Sequence, residues 1–302
     1  MTTPLGPRAA RVVAARRLRR PSARRAEGRF LAEGFQAVEA GLAAGRLDEV
    51  FVTEPAAARH EALLARAATS GVPVRPVTDA AAGALSETGT PQGLVAVAAL
   101  PAARLADLAA VERQPLRRAD GQVGQIGMMG AVAPRLVAVC VAANDPGNAG
   151  TVIRTADAAG ADAVVFVGEG VDPFGGKAVR ATAGSIFHLP VVVEPDLAAT
   201  LAWLRSAGCR VIATSGYGER DLYHAADDGA LDGPTGWLFG NEAHGLSAEV
   251  LAAADAVLRV PVYGQAESLN LAVATALCLY ASARAQRMAR SGIQSAGGGG
   301  RR

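Results

Sequence analysis

Three short segments of the chain place polar side chains and glycines directly after apolar stretches. The first segment, residues 144–156, reads NDPGNAGTVIRTA and follows an apolar run. Asn148 is predicted to cap the next helix, and Arg154 and Asp157 lie on the side opposite its apolar stripe. A strand, a Gly/Asn turn and a helix N-terminus together can bind an anion or a polar ligand. Taken alone, the segment also fits an ordinary strand-to-helix turn with a surface arginine.

The second segment, residues 238–247, reads LFGNEAHGLS and again follows an apolar run. Gly240 is expected to let a ligand approach the backbone, and Asn241 and Glu242 follow at the carboxyl end of the predicted strand. Open α/β sheets bind their ligands at that edge. His244 has no partner at a spacing that would form a catalytic dyad, so we interpret it as a structural or solvated loop residue.

The third segment, residues 260–271, reads VPVYGQAESLNL and leads into the last helix. Ser268 is predicted to cap this helix, which places Asn270 in its first turn beside unpaired backbone N–H groups. Capping does not exclude a functional role for the serine. The buried stripe of the helix is predicted to consist of Leu269, Val273, Leu277 and Tyr280.

The elements that position these segments alternate between strands and helices. The helices are predicted over residues 149–159 and 197–207 and from residue 268, the first two ended by Gly160 and Gly208. Alternation of this kind indicates an open, mostly parallel α/β sheet. The strands are predicted at residues 136–142, 163–167, 210–213, 236–239 and 257–260.

Residues 30–100 also alternate between short helices and short strands, which predicts a separate small α/β unit. The stretch 101–134 is rich in Gly, Pro, Ala and Arg, and we interpret it as a linker. The Gly-rich end of the chain, residues 291–302, is expected to be disordered.

Composition places limits on function. Residues 1–30 contain nine arginines and one acid, whereas the 302-residue chain has a net charge of +2, so the rest of the chain is acidic. A basic arm on an acidic body suits a polyanionic partner, although a solvated helix face would have the same composition. No apolar run is long enough to predict a membrane span, and no Cys/His spacing suggests a zinc site. The Arg-rich N-terminus has no apolar core after its charges, which argues against a secretory signal but leaves an amphipathic targeting peptide open. Three dispersed cysteines favour reduced core thiols in a cytoplasmic protein.

In this order, the three segments resemble the three signature motifs of the SpoU-type (TrmH-like) 2′-O-ribose methyltransferases of the SPOUT superfamily. Residues 177–190, KAVRATAGSIFHLP, are similar to the stretch between the first two motifs. The small unit, with its Glu33-Gly34 and its TPQG turn at 90–93, resembles a ribosomal-protein-like RNA-binding domain. The chain departs from the family pattern at Val262, where Met is usual, at Ala272, where a small hydroxyl residue is common, and in its longer linker.

The resemblance implies an α/β fold in which a SPOUT domain with a deep trefoil knot and a mostly parallel sheet follows the RNA-binding domain. It also implies S-adenosyl-L-methionine as cofactor, a homodimer and no metal. The domain boundaries expected on this basis are a basic arm at 1–28, the RNA-binding domain at 29–100, a linker at 101–134, the methyltransferase domain at 135–288 and a disordered tail at 289–302.

The resemblance also implies roles for individual residues. The cofactor is expected to contact Gly240, Val260 and Leu269 through their backbones, together with Thr214 and Asn241. Arg154 matches the catalytic arginine of the family, and the ribose and this arginine are expected to be positioned by Ser268, Asn270, Asn148 and Glu242. RNA contacts are expected at Arg180, Arg24 and Arg25.

The expected reaction is methyl transfer to a ribose 2′-hydroxyl, a group that RNA has and DNA lacks. The N-terminal domain and basic arm favour 23S ribosomal RNA over transfer RNA as substrate. Two alternatives stay open at this point: a non-catalytic RNA-binding protein with this fold, and a knotted enzyme that methylates a base nitrogen.

Overall fold

The computed structural model describes residues 3–101, 104–110, 133–241 and 243–297. The chain forms two compact units. The first unit comprises Met1–Ala102, Asn144–Arg154 and Val171–Leu189, and the second comprises Ala103–Ala143, Thr155–Gly170 and Pro190–Arg302. The first unit therefore includes two segments from beyond the predicted linker, so a boundary drawn along the sequence does not separate the two units.

Helices and strands alternate along most of the described chain. The helices are α1 (Ala10–Arg17), α2 (Pro21–Glu27), α3 (Phe35–Ala43), α4 (Glu54–Arg59), α5 (Glu61–Thr69), α6 (Asp79–Leu85), α7 (Pro146–Ala159), α8 (Gly176–Ala181), α9 (Leu197–Ser206), α10 (Leu222–Asp227), α11 (Ala248–Ala252) and α12 (Leu271–Gly297). The strands are β1 (Arg29–Glu33), β2 (Leu47–Val52), β3 (Val74–Pro76), β4 (Leu94–Ala99), β5 (Leu136–Val141), β6 (Ala163–Val167), β7 (Val191–Glu194), β8 (Arg210–Thr214), β9 (Arg220–Asp221), β10 (Thr235–Phe239) and β11 (Ala256–Arg259).

The first unit is built on a mixed sheet, which within the described residues has four strands in the order β1-β4-β2-β3. Strand β4 lies between β1 and β2 and is antiparallel to both, whereas β2 and β3 are parallel. Every residue of β4 from Leu94 to Ala98 is buried, because helices cover both faces of this central strand. The small α/β unit predicted from residues 30–100 is present.

The basic N-terminal stretch is folded into the core of the first unit. Val12, Ala15 and Leu18 are buried on one side of α1 and pack in a cluster with Phe51 and Leu85. The prediction of a separate arm at 1–28 is therefore wrong. The prediction followed the Arg-rich composition and overlooked three apolar residues spaced about one helical turn apart. Three such residues are enough to pack a short helix against the core.

The second unit is built on a parallel sheet, which in the described part of the chain has seven strands in the order β7-β6-β5-β10-β8-β11-β9. Its central strands, such as Leu136–Val141 and Thr235–Phe239, are almost entirely buried because helices cover both faces. All five strands predicted for this half are found within one or two residues. The short strands β7 and β9 were missed.

Part of the predicted linker belongs to the second unit. A 3₁₀ helix at Leu105–Ala110 buries Leu105 and Leu108 against the core that contains Val139 and Leu204. Residues 111–132, which hold the Gly-rich part of that linker, lie outside the described residues.

The last helix differs from its predicted form in three respects. It begins at Leu271 and not at Ser268, and its cap is Asn270, whose Oδ1 accepts from the N–H groups of Ala272 and Val273. It also extends to Gly297, so residues 289–297 of the predicted disordered tail are helical, while residues 298–302 lie outside the described residues.

The third difference in α12 concerns the face that is buried. Val273 and Tyr280 are about half exposed and Leu277 is only partly buried, although all three were predicted to face the core. The helix has two apolar stripes, and the one made of smaller residues packs on the sheet. That stripe consists of Leu271, Ala272, Thr275, Cys278, Leu279, Ser282, Ala283 and Gln286.

Candidate active site

Three loops of the second unit leave neighbouring strands at one edge of the sheet. Strand β8 lies between β10 and β11 and is parallel to both, so the carboxyl ends of all three strands meet at the same edge. Thr214, Gly240 and Val260 mark these ends. The Thr214 hydroxyl donates to the carbonyl of Leu238 at 3.2 Å, which links β8 to β10 at the point where the loops begin. The structure thus brings together the cofactor-binding residues predicted from the second and third segments.

Gly240 is required by the loop that it begins. The N–H of Asn241 donates to the carbonyl of Gly245 at 3.2 Å, and the N–H of Gly245 donates back to Asn241 at 2.9 Å. A Cβ at residue 240 would lie 2.2 Å from the carbonyl carbon of Gly245. The close approach that we expected of a ligand is made by the loop itself.

The side chain of Asn241 holds this loop in place. Its Nδ2 donates to the carbonyl of Ala142 at 2.7 Å, and its Oδ1 accepts from the N–H groups of Ala243 and His244. Ala142 has a φ of +50°, an unfavourable conformation for a residue with a side chain. Asn241 therefore organises the edge of the sheet through internal bonds. Glu242, predicted to be catalytic, lies outside the described residues.

The loop after β11 exposes its backbone. Residues 262–268, including Ser268, are exposed, and among the described residues their main-chain N–H groups donate to no protein acceptor. Exposed donors and acceptors on an extended loop suit a polar ligand that is recognised by the main chain. This loop and the Gly240–Leu246 turn fit S-adenosyl-L-methionine, whose adenine and amino-acid groups need such partners. Leu269, at the end of the loop, is half-buried.

Helix α7 carries Asn148 and Arg154 in the first unit. Asp145 caps this helix, because its Oδ1 accepts from the N–H of Asn148 at 2.7 Å, so the prediction that Asn148 is the cap is wrong. That hydrogen bond holds the pKa of Asp145 below its usual value, and Lys177 reinforces the effect. The apolar side of α7 is buried as predicted. Arg154 is exposed, with no ion pair to any described residue.

Two of the three arginines predicted to contact RNA are engaged within the first unit. Arg24 is buried and donates to Asp172 through Nε and Nη2, at 3.1 and 2.6 Å. Arg180 donates to Glu33 at 2.8 Å. The structure contradicts the predicted RNA contact for Arg24, and it gives Arg180 an internal partner in place of a phosphate. Arg25 is exposed.

The cysteines are not candidates for a nucleophile. Cys140, Cys209 and Cys278 are all buried, and none of them forms a disulfide. Burial raises the pKa of Cys209 to about 11 and raises that of Cys278 as well, so both stay protonated near neutral pH. Among the described residues, no cluster of His, Cys, Asp or Glu could hold a metal ion, and no helix is long and apolar enough to cross a membrane.

Both halves of the chain match known protein families. Residues 135–280 match the SpoU rRNA Methylase family, and residues 9–96 match the MRM3-like substrate binding domain. The second match begins at residue 9, directly before α1, and not at residue 29. This agrees with the packing of α1 and α2 in the first unit.

Relatives match over most of the chain. The chain is 34% identical to the 23S rRNA (guanosine(2553)-2′-O)-methyltransferase RlmP of Bacillus subtilis, over 83% of this chain and 87% of that protein. The AdoMet-bound rRNA methyltransferase of Sinorhizobium meliloti is 30% identical with a TM-score of 0.72, covering 91% of this chain and 95% of that one. The SpoU methyltransferase AviRb of Streptomyces viridochromogenes, in complex with AdoMet, is 26% identical with a TM-score of 0.73, over 92% and 99% of the two chains.

The two family matches and the similar methyltransferases define the chain as an RNA methyltransferase. The chain belongs to the SpoU rRNA methylase family. The expected combination of a mostly parallel SPOUT sheet with a small α/β unit is thereby confirmed.

The close packing at Gly240 generates a prediction. Gly240→Ala should lower the affinity for S-adenosyl-L-methionine by about tenfold or more, because the added Cβ forces the Gly240–Leu246 turn away from the sheet edge. Titration calorimetry measures the affinity, and circular dichroism checks that the fold is kept. Gly233→Ala, in the turn before β10, is the matched control, since a Cβ there meets open space. Equal affinity in both variants would contradict the role assigned to the turn.

Proposed function

We propose that this protein transfers a methyl group from S-adenosyl-L-methionine to a ribose 2′-hydroxyl in 23S ribosomal RNA. The observation that carries the proposal is an exposed Arg154 on α7, in a chain whose sheet edge offers a main-chain site for the cofactor. The relative RlmP is named for this reaction on 23S rRNA. Three buried cysteines that form no disulfide and a ribosomal substrate fit a reducing compartment, so we place the reaction in the cytoplasm.

Arg154 acts as a fixed positive charge and not as a base. A guanidinium keeps its proton to above about pH 12, so it cannot take the proton of a hydroxyl near neutral pH. Its planar donors suit the phosphate next to the reacting ribose, and its charge stabilises the negative charge that develops on the 2′-oxygen. The proton of the hydroxyl then leaves to water as the new carbon–oxygen bond forms.

The second unit supplies the positioning. Bound S-adenosyl-L-methionine would provide an electrophilic methyl group on a sulfonium, which is a good leaving group. We assign the orientation of the ribose to the hydroxyl of Ser268, which is exposed on the loop before α12. The Oδ1 of Asn270 accepts from the N–H groups of Ala272 and Val273, so this residue also shapes the start of α12. Glu242 and Asn148 complete the proposed set.

Exposed arginines on the first two helices support RNA as the substrate. The α1–α2 arginine surface consists of Arg16, Arg17, Arg20 and Arg25, all of which are exposed and form no ion pair with any described residue. Such a surface contacts phosphates irrespective of sequence and gives binding that weakens with salt. It includes the one predicted RNA contact, Arg25, that the structure leaves exposed.

Two alternatives are separated by experiment. A transfer RNA substrate would change the labelled RNA but not the chemistry. A non-catalytic RNA-binding member of the fold would bind RNA and transfer nothing; the presence of Arg154, Ser268 and Asn270 argues against it.

We also propose a homodimer, formed through the exposed apolar stripe of α12. This stripe consists of Val273, Leu277, Tyr280 and Met288, and it runs along about 22 Å of the helix. An exposed apolar stripe on the longest helix of the described chain, interrupted here by Arg284, is typical of an interface between proteins. A second copy would cover it symmetrically.

The reaction is tested by transfer of tritiated methyl from S-adenosyl-L-methionine into total RNA from a strain that lacks this gene. We expect a labelled 2′-O-methylnucleoside in the 23S fraction. Arg154→Ala should reduce the rate by about 100-fold or more with cofactor affinity unchanged, because a charge that acts on the developing oxyanion is lost. Arg59→Ala, another exposed arginine, is the control. Label in transfer RNA would change the substrate, and no label in any fraction would reject the function.

The α1–α2 arginine surface predicts a specific salt dependence. Arg20→Gln with Arg25→Gln should weaken RNA binding and reduce the slope of log affinity against log salt by about two, one for each lost phosphate contact. Filter binding over a range of salt concentrations measures the slope. Arg59→Gln with Arg66→Gln removes the same charge from α4 and α5. The same slope in both double variants would rule out a phosphate-binding role for the surface.

The dimer is tested through Tyr280, which is 52% exposed. Tyr280→Glu should convert the dimer to a monomer in light scattering coupled to size exclusion, because a carboxylate would be buried without a partner. Val13→Glu changes an exposed apolar residue of α1 and should leave the dimer intact. A wild-type protein that is monomeric at micromolar concentration would refute the proposed interface.

A further inference from the structure

A buried carboxylate in the first unit joins three distant parts of the sequence. The side chain of Glu33, at the end of β1, is only 5% exposed. Its Oε1 accepts from the hydroxyl of Ser86 at 2.5 Å, and its Oε2 accepts from Nη1 of Arg180 at 2.8 Å. A buried charge is stable only when it is paired and hydrogen-bonded, so this carboxylate holds Arg180 and α8 against the sheet of the first unit.

The segment around α8 is attached to the first unit at further points. Arg24 uses all three guanidinium nitrogens, two on Asp172 and one on the carbonyls of Leu18 and Arg19. The Phe30 ring lies 5.5 and 5.6 Å from the rings of Phe174 and Phe187. These contacts fix residues 171–189 onto β1 and α2 from both ends.

Helix α8 in turn contacts the first half of α7 closely. A Cβ at Gly150 would lie 2.3 Å from the carbonyl oxygen of Ala178 and 2.5 Å from the Cβ of Ala181. Lys177 donates to Asp145, the cap of α7, at 3.2 Å. Arg154 follows Gly150 by four residues, so it emerges one turn along the same side of the helix.

We propose that Glu33 and Arg180 are positioning residues that fix Arg154 relative to the RNA-binding surface of the first unit. The connection runs from β1 through the ion pair to α8, and from α8 through the contact at Gly150 to α7. This inference rests on the function proposed above. It assigns Arg180 a role in holding the catalytic helix and not in binding phosphate.

The role has a kinetic consequence. The α1–α2 arginine surface holds the RNA, and the ion pair between Glu33 and Arg180 sets the distance between this surface and Arg154. Loss of the ion pair displaces Arg154 without removing any group that touches RNA or cofactor. Small displacements of a group that stabilises the transition state reduce turnover far more than they reduce binding.

The test compares Arg180→Gln, Glu33→Gln and the double variant in the full chain. Arg180→Gln should slow single-turnover methyl transfer by about tenfold or more, with affinities for RNA and cofactor within about twofold of wild type. The double variant removes both charges and leaves a neutral pair that can hydrogen-bond, so it should recover most of the rate. Arg66→Gln, which breaks the exposed pair with Glu39, is the control of equal charge.

A second measurement does not depend on activity. Hydrogen–deuterium exchange of residues 144–154 should accelerate in Arg180→Gln, return towards the wild-type rate in the double variant and stay unchanged in Arg66→Gln. Arg180→Lys, which keeps the charge but loses the planar fork, should give a smaller change in the same direction.

The outcomes separate the inference from the proposed function. Unchanged exchange together with weaker, less salt-dependent RNA binding in Arg180→Gln would overturn the inference and restore Arg180 as a phosphate contact. A normal methylation rate in Arg180→Gln would overturn it too. If the wild-type protein methylates no RNA, the proposed function fails, while the exchange experiment still tests the connection from Glu33 to α7.

Discussion

The first unit depends on the contact between α7 and α8 at Gly150, where the two backbones leave no space for a side chain. Close backbone packing of this kind resists sliding, because any shift produces an immediate clash. The ion pair between Glu33 and Arg180 and the cap formed by Asp145 act at either end of this contact. Together they make the start of α7, the helix that carries Arg154, part of the first unit.

The second unit uses its motif residues in a different way. Gly240 and Asn241 form a turn, and Asn270 caps a helix. The hydrogen-bonding groups that stay exposed at this edge of the sheet belong to the backbone of residues 262–268. A site formed from main-chain groups depends on loop geometry more than on any one side chain. This explains why the motifs contain so many small and turn-forming residues.

Much of this organisation follows from the sequence. Apolar runs such as Ala163–Val167 predict the parallel strands directly, and glycines mark the helix ends. The buried face of α12 could not be predicted, because a stripe of Thr, Ser, Cys and Ala competes with a more hydrophobic one containing Val273 and Tyr280. Hydrophobicity ranks the second stripe first, whereas the close packing of a helix on the sheet selects the smaller residues. The intramolecular partners of Arg24 and Arg180 could not be predicted from the sequence either. Asp172 is 148 residues away from Arg24 along the chain, and Glu33 is 147 residues away from Arg180.

The assembly of the first unit from three separate stretches limits how the chain can be dissected or recombined. Cutting between residues 102 and 133 would strip Phe30 of its two aromatic neighbours and leave Glu33 without its cationic partner. The first unit therefore cannot be separated from the chain as one continuous segment. In a chimaera between relatives, the N-terminal residues and the stretch Val171–Leu189 would have to be exchanged together. Across the family, the two stretches are expected to change in concert, as the halves of one interface.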